Sequence, residues 1–128
     1  FGKLSDSMSH RTLLAAGLVV LATSDLVLAL ASDWVGLGLG VALWGVHMGM
    51  TQGLLAAMVA DTAPSDLRGT AYGFFNLLSG IAMLASSVVA GLMWDRFGSE
   101  YTFYAGAAFA GLTLAGMAIS AARDRSAA

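Results

Sequence analysis

The stretch DTAPSDLRGTAYG, residues 61–73, decides how this chain folds. It contains the only proline, Pro64, and three charged side chains, those of Asp61, Asp66 and Arg68. Proline interrupts helices and charged groups stay in water, whereas the residues on both sides form long runs with almost no charge. We therefore interpret the stretch as a polar loop that joins two membrane-spanning helices at one face of a bilayer.

The composition is that of a protein dissolved in lipid. Of 128 residues, 58% are hydrophobic and 11% are charged, whereas a soluble domain carries about 25% charged residues. The net charge of −2 gives no indication of a nucleic-acid partner. There is no cysteine, and the two histidines, His10 and His47, are far apart, so we expect no disulfide, metal site or cofactor. The polar start without Met predicts no signal peptide and suggests a fragment of a longer chain.

Four apolar segments are each long enough to cross a bilayer, for which about 20 residues suffice. The predicted spans are residues 12–32, 34–60, 70–93 and 101–122. Asp33 is the predicted N-cap of the second helix, and Gly98 is the predicted end of the third, with Ser99 as the next cap. We therefore expect an all-α membrane protein in which residues 1–128 form a single segment of four transmembrane helices.

The distribution of basic residues predicts the orientation of these helices. Five basic residues lie on the side of the termini and the loop, and only Arg96 lies on the other side. The five are Lys3, Arg11, Arg68, Arg123 and Arg125. Basic residues are retained in the cytoplasm, so both termini of this segment are expected there. A soluble four-helix core is disfavoured, because no span has a charged face to meet water.

Two faces of the second span carry different side chains. A small face consists of Gly45, Gly49, Gly53 and Ala56. Roughly opposite lie Gly40 and a polar stripe of Trp44, His47 and Thr51. Such polar side chains are costly to expose to lipid, so they face protein or a water-filled cavity. The stripe is either a packing cluster or a surface that contacts a ligand, and the sequence leaves both open.

The third span carries a nearly continuous stripe of small and polar residues. Its members are Gly69, Gly73, Asn76, Gly80, Ser87 and Gly91. Small residues allow helix backbones to approach closely in lipid. The stripe is therefore a helix–helix contact, either static or one that slides open and closed.

Asp25 is the sole acidic residue inside a predicted span. An ionised carboxylate at the centre of a bilayer costs about 2.5–3.5 kcal/mol on insertion scales, so a partner, water or a proton must compensate. Proton coupling or contact with a cation is one interpretation. The other is a packing role, because Ala22, Ala29 and Ser32 give this part of the helix a small side.

Three short motifs resemble those of the major facilitator superfamily. Residues 2–11, GKLSDSMSHR, resemble its loop motif of a glycine, an aspartate four residues later and closing basic residues. The matching positions are Gly2, Asp6 and Arg11, with His10 as a partial match, whereas Ser7 and Ser9 depart from the motif. Residues 61–69 resemble the acid–Pro–Arg–Gly loop after helix ten of such proteins. Residues 91–103, GLMWDRFGSEYTF, are similar to the turn between helices eleven and twelve in many bacterial members.

The resemblance covers essentially the whole chain and implies helices nine to twelve of a twelve-helix secondary transporter. It implies transport of a small-molecule substrate by alternating access, no enzymatic activity, a bacterial plasma membrane, and N-terminal helices that this chain lacks. It favours Trp44, His47 and Thr51 as cavity residues and the stripe of the third span as a sliding contact, and it weakens the proton role of Asp25. It also implies a cytoplasmic gate of charged residues, for which the candidates are Asp6, Arg11, Asp61 and Arg68.

The sequence suggests two alternatives to a transporter segment, of which it disfavours the second. A small four-helix protein could act as a homo-oligomeric structural or multidrug-export subunit, with its glycine faces joining subunits. An intramembrane enzyme would need a nucleophile with a base, or paired carboxylates, and one Asp and one His on different helices do not provide such a set.

Overall fold

The computed structural model describes residues 9–126, which form four α-helices with short connections. The helices are α1 (His10–Leu30), α2 (Trp34–Thr62), α3 (Arg68–Phe97) and α4 (Ser99–Ser126). No strand occurs in this range. Each helix is long and apolar enough to cross a membrane. The prediction of an all-α membrane fold is confirmed.

Local sequence explains where the helices begin and end. The Ser9 hydroxyl accepts a hydrogen bond from the backbone N–H of Thr12 at the start of α1. Asp33 accepts one from the N–H of Gly36 at 2.8 Å and is the N-cap of α2, as predicted. Gly98 ends α3 with a φ of 94°, a left-handed value that glycine adopts without a steric penalty.

The connection between α2 and α3 is shorter than the polar stretch suggested. It comprises residues 63–67, and the backbone N–H of Leu67 donates to the Pro64 carbonyl at 3.0 Å. The polar residues on both sides of it continue the helices, so that α2 includes Asp61 and α3 begins at Arg68. We call this side of the bundle the loop end and the side of Gly98 the turn end.

Helix α1 is the centre of the bundle, because it packs along both α2 and α4. It contains most of the buried residues, namely Leu13, Gly17, Ser24, Asp25 and Ala29. By contrast, none of the thirty residues of α3 is buried against the rest of the described chain. The structure therefore consists of three packed helices and a fourth helix with largely open faces.

Two glycines allow α1 and α2 to approach closely. A Cβ atom placed on Gly17 would lie 2.8 Å from the Thr51 side chain, and one placed on Gly40 would lie 2.5 Å from the Leu28 side chain. Each distance is well inside van der Waals contact, so a larger residue at either position would force the helices or side chains apart.

Two side chains bind the carbonyl oxygens of the same two glycines. The Ser24 hydroxyl of α1 donates to the Gly40 carbonyl at 2.8 Å. His47 of α2 lies 2.8 Å from the Gly17 carbonyl through Nδ1, and since a carbonyl only accepts, Nδ1 carries the proton. Each helix thus donates one hydrogen bond to a glycine of the other, which satisfies polar groups that lipid cannot satisfy. We call these four residues the α1–α2 seam.

We predict that Gly40→Ala lowers the free energy of unfolding by about 1–3 kcal/mol, because the added methyl overpacks the seam against Leu28. Gly38→Ala is the matched control, since a Cβ at Gly38 meets no described atom within 4 Å. Denaturant unfolding in mixed micelles measures both variants. Equal destabilisation by the two substitutions would contradict the close contact.

Candidate functional site

The polar stripe of α2 divides into two environments. The Thr51 side chain is buried, and its hydroxyl donates to the His47 carbonyl at 2.9 Å. His47 binds Gly17 of α1, so both residues belong to the contact between α1 and α2. Trp44 is 47% exposed. The geometry supports the packing interpretation for His47 and Thr51, and the cavity role of the three residues stays a prediction.

The opposite face of α2 is open. Cβ atoms placed on Gly45, Gly49 and Gly53 meet nothing within 4 Å in the described part of the chain. The small residues of this face do not contact α1, because α1 lies on the side of His47. The side of α2 that faces α1 carries both a glycine in close contact, Gly40, and a hydrogen-bonding side chain, His47.

The six-residue stripe of α3 is exposed along its whole length. Cβ atoms placed on its four glycines, Gly69, Gly73, Gly80 and Gly91, would meet no described atom within 4 Å. The stripe makes no helix–helix contact between residues 9 and 126. Its role as a static or sliding contact therefore stays a prediction about other helices.

Two ion pairs join the helix termini at the loop end. Arg11 at the start of α1 donates to Asp124 near the end of α4 at 2.8 Å. His10 Nε2 lies 3.8 Å from Asp61 Oδ2 at the end of α2, a pair that is charged only when the histidine is protonated. Both pairs are exposed, so each contributes about 0–1 kcal/mol. Together they connect α1 to both of its neighbours.

The structure brings together only part of the predicted gate. Arg11 and Asp61 lie in separate pairs, and Asp6 lies outside the described residues. Arg68 makes no ion pair with another described side chain. Sequence analysis missed Asp124 as the partner of Arg11. The helix topology could have identified this partner. Four spans return the end of α4, where Asp124 lies, to the side of the membrane on which α1 begins.

Asp25 is a residue of α1 whose carboxyl group faces α4, and it is 8% exposed. A Cβ atom placed on Gly106 of α4 would lie 2.5 Å from Asp25 Oδ2 and 3.1 Å from Cγ. The carboxyl group therefore rests against the α4 backbone at a position where only a glycine leaves room. Among residues 9–126, no group of three His, Asp or Glu side chains could hold a metal ion.

An apolar groove with a volume of about 670 Å³ separates α2 from α3 at the loop end. Leu55, Met58 and Val59 line one wall, and Phe74 and Phe75 line the other. Beside it, the Tyr72 hydroxyl donates to the Ala56 carbonyl at 2.9 Å and links the two helices. The groove explains why α3 packs weakly against α2, although the loop keeps their ends together.

Comparison with known proteins identifies the family. The sequence model of the Major Facilitator Superfamily matches residues 1–127. The chain belongs to this superfamily. An uncharacterized MFS-type transporter of Methanocaldococcus jannaschii is 33% identical over 110 residues, which are 86% of this chain but 27% of that protein. No solved structure matches the chain. The family recognised from the loop motifs is confirmed, and this major facilitator chain spans about a quarter of its relative.

We predict a measurable coupling between Arg11 and Asp124 in a double-mutant cycle with alanine. The expected coupling free energy is about 0.2–1 kcal/mol, because the pair is exposed, and it should decrease at high salt. Unfolding free energies of the two single variants and the double variant give this value.

The cycle between Arg11 and Asp61 is the control for that experiment. Asp61 lies at the same end of the bundle but pairs with His10 rather than with Arg11. Its coupling to Arg11 is expected to be close to zero. A larger coupling for Arg11 with Asp61 than with Asp124 would show that the ion pairs are arranged differently.

Proposed function

We propose that this chain is the helix nine-to-twelve portion of a secondary transporter that moves a small molecule by alternating access. The observation that carries the proposal is the family match over residues 1–127. Proteins of this family bind substrate near the middle of the membrane between two halves that rock about the site. The remaining helices would come from a longer polypeptide, since the chain spans 27% of its relative from Methanocaldococcus jannaschii.

The distribution of buried surface supports this role. α1 packs along α2 and α4, and these three helices would form a rigid part of one half. α3 and the glycine face of α2 are open to further helices. In lipid, surfaces lined by glycine favour close helix contact, so the stripe of α3 suits a contact with the other half that changes during transport.

Among the three cavity candidates, Trp44 is the one that we place at the substrate. Its ring is half exposed, whereas the His47 and Thr51 side chains are engaged with α1 or with their own helix. An exposed aromatic ring can stack on an apolar or cationic part of a substrate.

We assign the charged residues at the loop end to a cytoplasmic gate. The excess of basic residues on this side favours a cytoplasmic location. Arg68 starts α3 and is free of ion pairs with other described residues, so it is available to a partner on the other half of the transporter. Asp61 and Arg11 hold the helix ends of this half. Asp6 lies in the same motif as Arg11. Small electrostatic contributions suffice here, because about 1 kcal/mol shifts a two-state equilibrium roughly fivefold.

Transport by the intact protein tests the proposal. Proteoliposomes are loaded or challenged with a panel of sugars, amino acids, nucleosides and organic ions. The intact protein should exchange at least one class of solute across the membrane. The isolated 128-residue chain should exchange none, because it supplies only one wall of a cavity between two halves. Transport by the isolated chain would contradict the proposed organisation.

Labelling with a water-soluble thiol reagent tests the position of Trp44. This chain contains no cysteine. Any cysteine elsewhere in the intact protein is replaced, so that the introduced cysteine is the only thiol. Trp44→Cys should react, because the cavity contains water. Thr51→Cys, seven residues along the same helix but buried against α1, should remain unreactive. Equal reactivity at the two positions would contradict the assignment of Trp44 to the cavity.

The open face of α3 also fits a second candidate, a homo-oligomer of four-helix subunits. In that case the glycine stripe would join copies of the chain rather than two halves of one polypeptide. Cross-linking through Gly80→Cys distinguishes the two functions. Efficient formation of covalent dimers would favour the oligomer, and their absence together with transport by the intact protein would favour the transporter.

A further inference from the structure

A cavity of about 380 Å³ lies at the turn end, between the α1–α2 connection and the α3–α4 turn. Asp33 and Trp34 line it from the first side, and Trp94 and Phe103 line it from the second. Sites for small molecules have volumes of about 300–1,000 Å³, so this cavity has room for a small organic group. We call it the turn-end cavity.

Three aromatic rings give the turn-end cavity a wall that attracts cations. Trp94 and Phe103 pack edge to face, with ring centroids 6.3 Å apart and ring planes at 71°, so each ring fixes the orientation of the other. Trp34 is 87% exposed and Trp94 is 52% exposed, so neither ring is covered by the described chain. A cation is attracted to the face of an aromatic ring within about 6 Å of its centroid, and an occupant of so small a cavity lies within about that distance of the wall.

Asp33 carries the only formal charge among the described residues that line the cavity. Its Oδ1 accepts the hydrogen bond from the N–H of Gly36 that caps α2. Its Oδ2 forms no hydrogen bond or ion pair with another described residue and remains available to a ligand. The adjoining α3–α4 turn is also acidic, because it contains Asp95 and Glu100 but only one basic residue, Arg96. The electrostatics of this end therefore favour a cation over an anion.

The chemistry of the wall favours an organic cation over a metal ion. Calcium and magnesium ions require about six oxygen ligands. The described wall offers the side-chain oxygens of Asp33, Ser32 and Ser99, and its other side chains are apolar or aromatic. Aromatic and aliphatic surfaces suit the methyl groups of an alkylated ammonium ion, which spreads its charge over those groups.

We propose that the turn-end cavity binds an alkylated ammonium group, with Asp33 as its counter-ion and the rings of Trp34, Trp94 and Phe103 around it. The group belongs either to a phospholipid headgroup, since tryptophan side chains prefer the membrane interface, or to a free solute. An occupant would contact both the α1–α2 connection and the α3–α4 turn, and it would stabilise the position of α3, none of whose residues is buried by the described chain.

This site goes beyond the proposed function and does not rest on it. The cavity lies at the ends of the helices, whereas the proposed substrate site lies near the middle of the membrane. Binding to the cavity is measured without transport, so either proposal can fail while the other stands.

A titration with choline tests the site in the intact protein. The protein is placed in nanodiscs of phosphatidylglycerol, a lipid without an ammonium group, and binding is followed by saturation-transfer NMR at constant ionic strength. Choline should bind saturably. Dimethylbutanol, its neutral isostere in which a carbon replaces the nitrogen, should bind about fivefold more weakly or less, because it lacks the charge that the carboxylate and the rings attract. Equal binding of choline and dimethylbutanol would overturn the inference.

Two substitutions with matched controls locate the bound choline. Asp33→Asn removes the charge but keeps the N-cap, because Asn caps helices as well as Asp does, and it should weaken choline binding about two- to fivefold. Phe103→Leu removes a ring and should also weaken binding about two- to fivefold. Asp95→Asn and Phe97→Leu make the same changes at exposed residues outside the cavity wall and should leave binding unchanged. If the controls weaken binding as much as the cavity variants do, choline binds elsewhere and the inference is overturned.

Nanodiscs that contain phosphatidylcholine distinguish the two sources of the ammonium group. If the headgroup occupies the cavity, this lipid should compete with free choline and raise the unfolding temperature of the wild type more than that of Asp33→Asn. Undiminished binding of choline in this lipid would instead assign the cavity to a free solute. Either result supports the ammonium site. The inference is overturned if choline does not bind in phosphatidylglycerol and phosphatidylcholine shifts the unfolding temperatures of wild type and Asp33→Asn equally.

Discussion

The structure depends on two hydrogen bonds that cross between α1 and α2 to glycine carbonyls. Ser24 donates to Gly40, and His47 donates to Gly17, each at 2.8 Å. In lipid there is no hydrophobic gain from bringing two apolar helices together, so close backbone approach and interhelical hydrogen bonds must hold them. Glycine provides both, because it removes the side chain that would keep the helices apart and exposes its carbonyl to the partner. With α2 fixed on one side of α1, Asp25 is directed to the other side, where α4 packs through Gly106.

The packed and open surfaces of the chain have complementary roles in our account. The polar side chains of α1 and α2 are used to hold this part of the protein together. The glycine faces of α2 and α3 contact nothing described, and in the proposed function they would contact helices from the rest of a transporter. Alternating access requires this division, because one set of contacts must stay fixed while another opens and closes. The ion pairs at the loop end strengthen the fixed set only slightly, since they are exposed to water.

The sequence was sufficient to predict features that depend on local chemistry. The four helices, the Asp33 cap and the glycine at the end of α3 follow from hydropathy and from the conformational preferences of single residues. The family followed from short motifs in the correct order. The partners of His47, Asp25 and Arg11 could not be predicted in this way. They depend on how each helix is rotated and which helices are neighbours, and two faces of α2 were both plausible contacts when only its side chains were known.

The central claim is that the small-residue face of α3 contacts protein rather than lipid in the intact molecule. Spin labels at Gly80, on the stripe, and at Leu78, on the other side of the helix, measure this directly through their collision with oxygen dissolved in the bilayer. Our account predicts low oxygen accessibility at position 80 and high accessibility at position 78. Similar and high accessibility at both positions would show that the stripe faces lipid and would contradict the account.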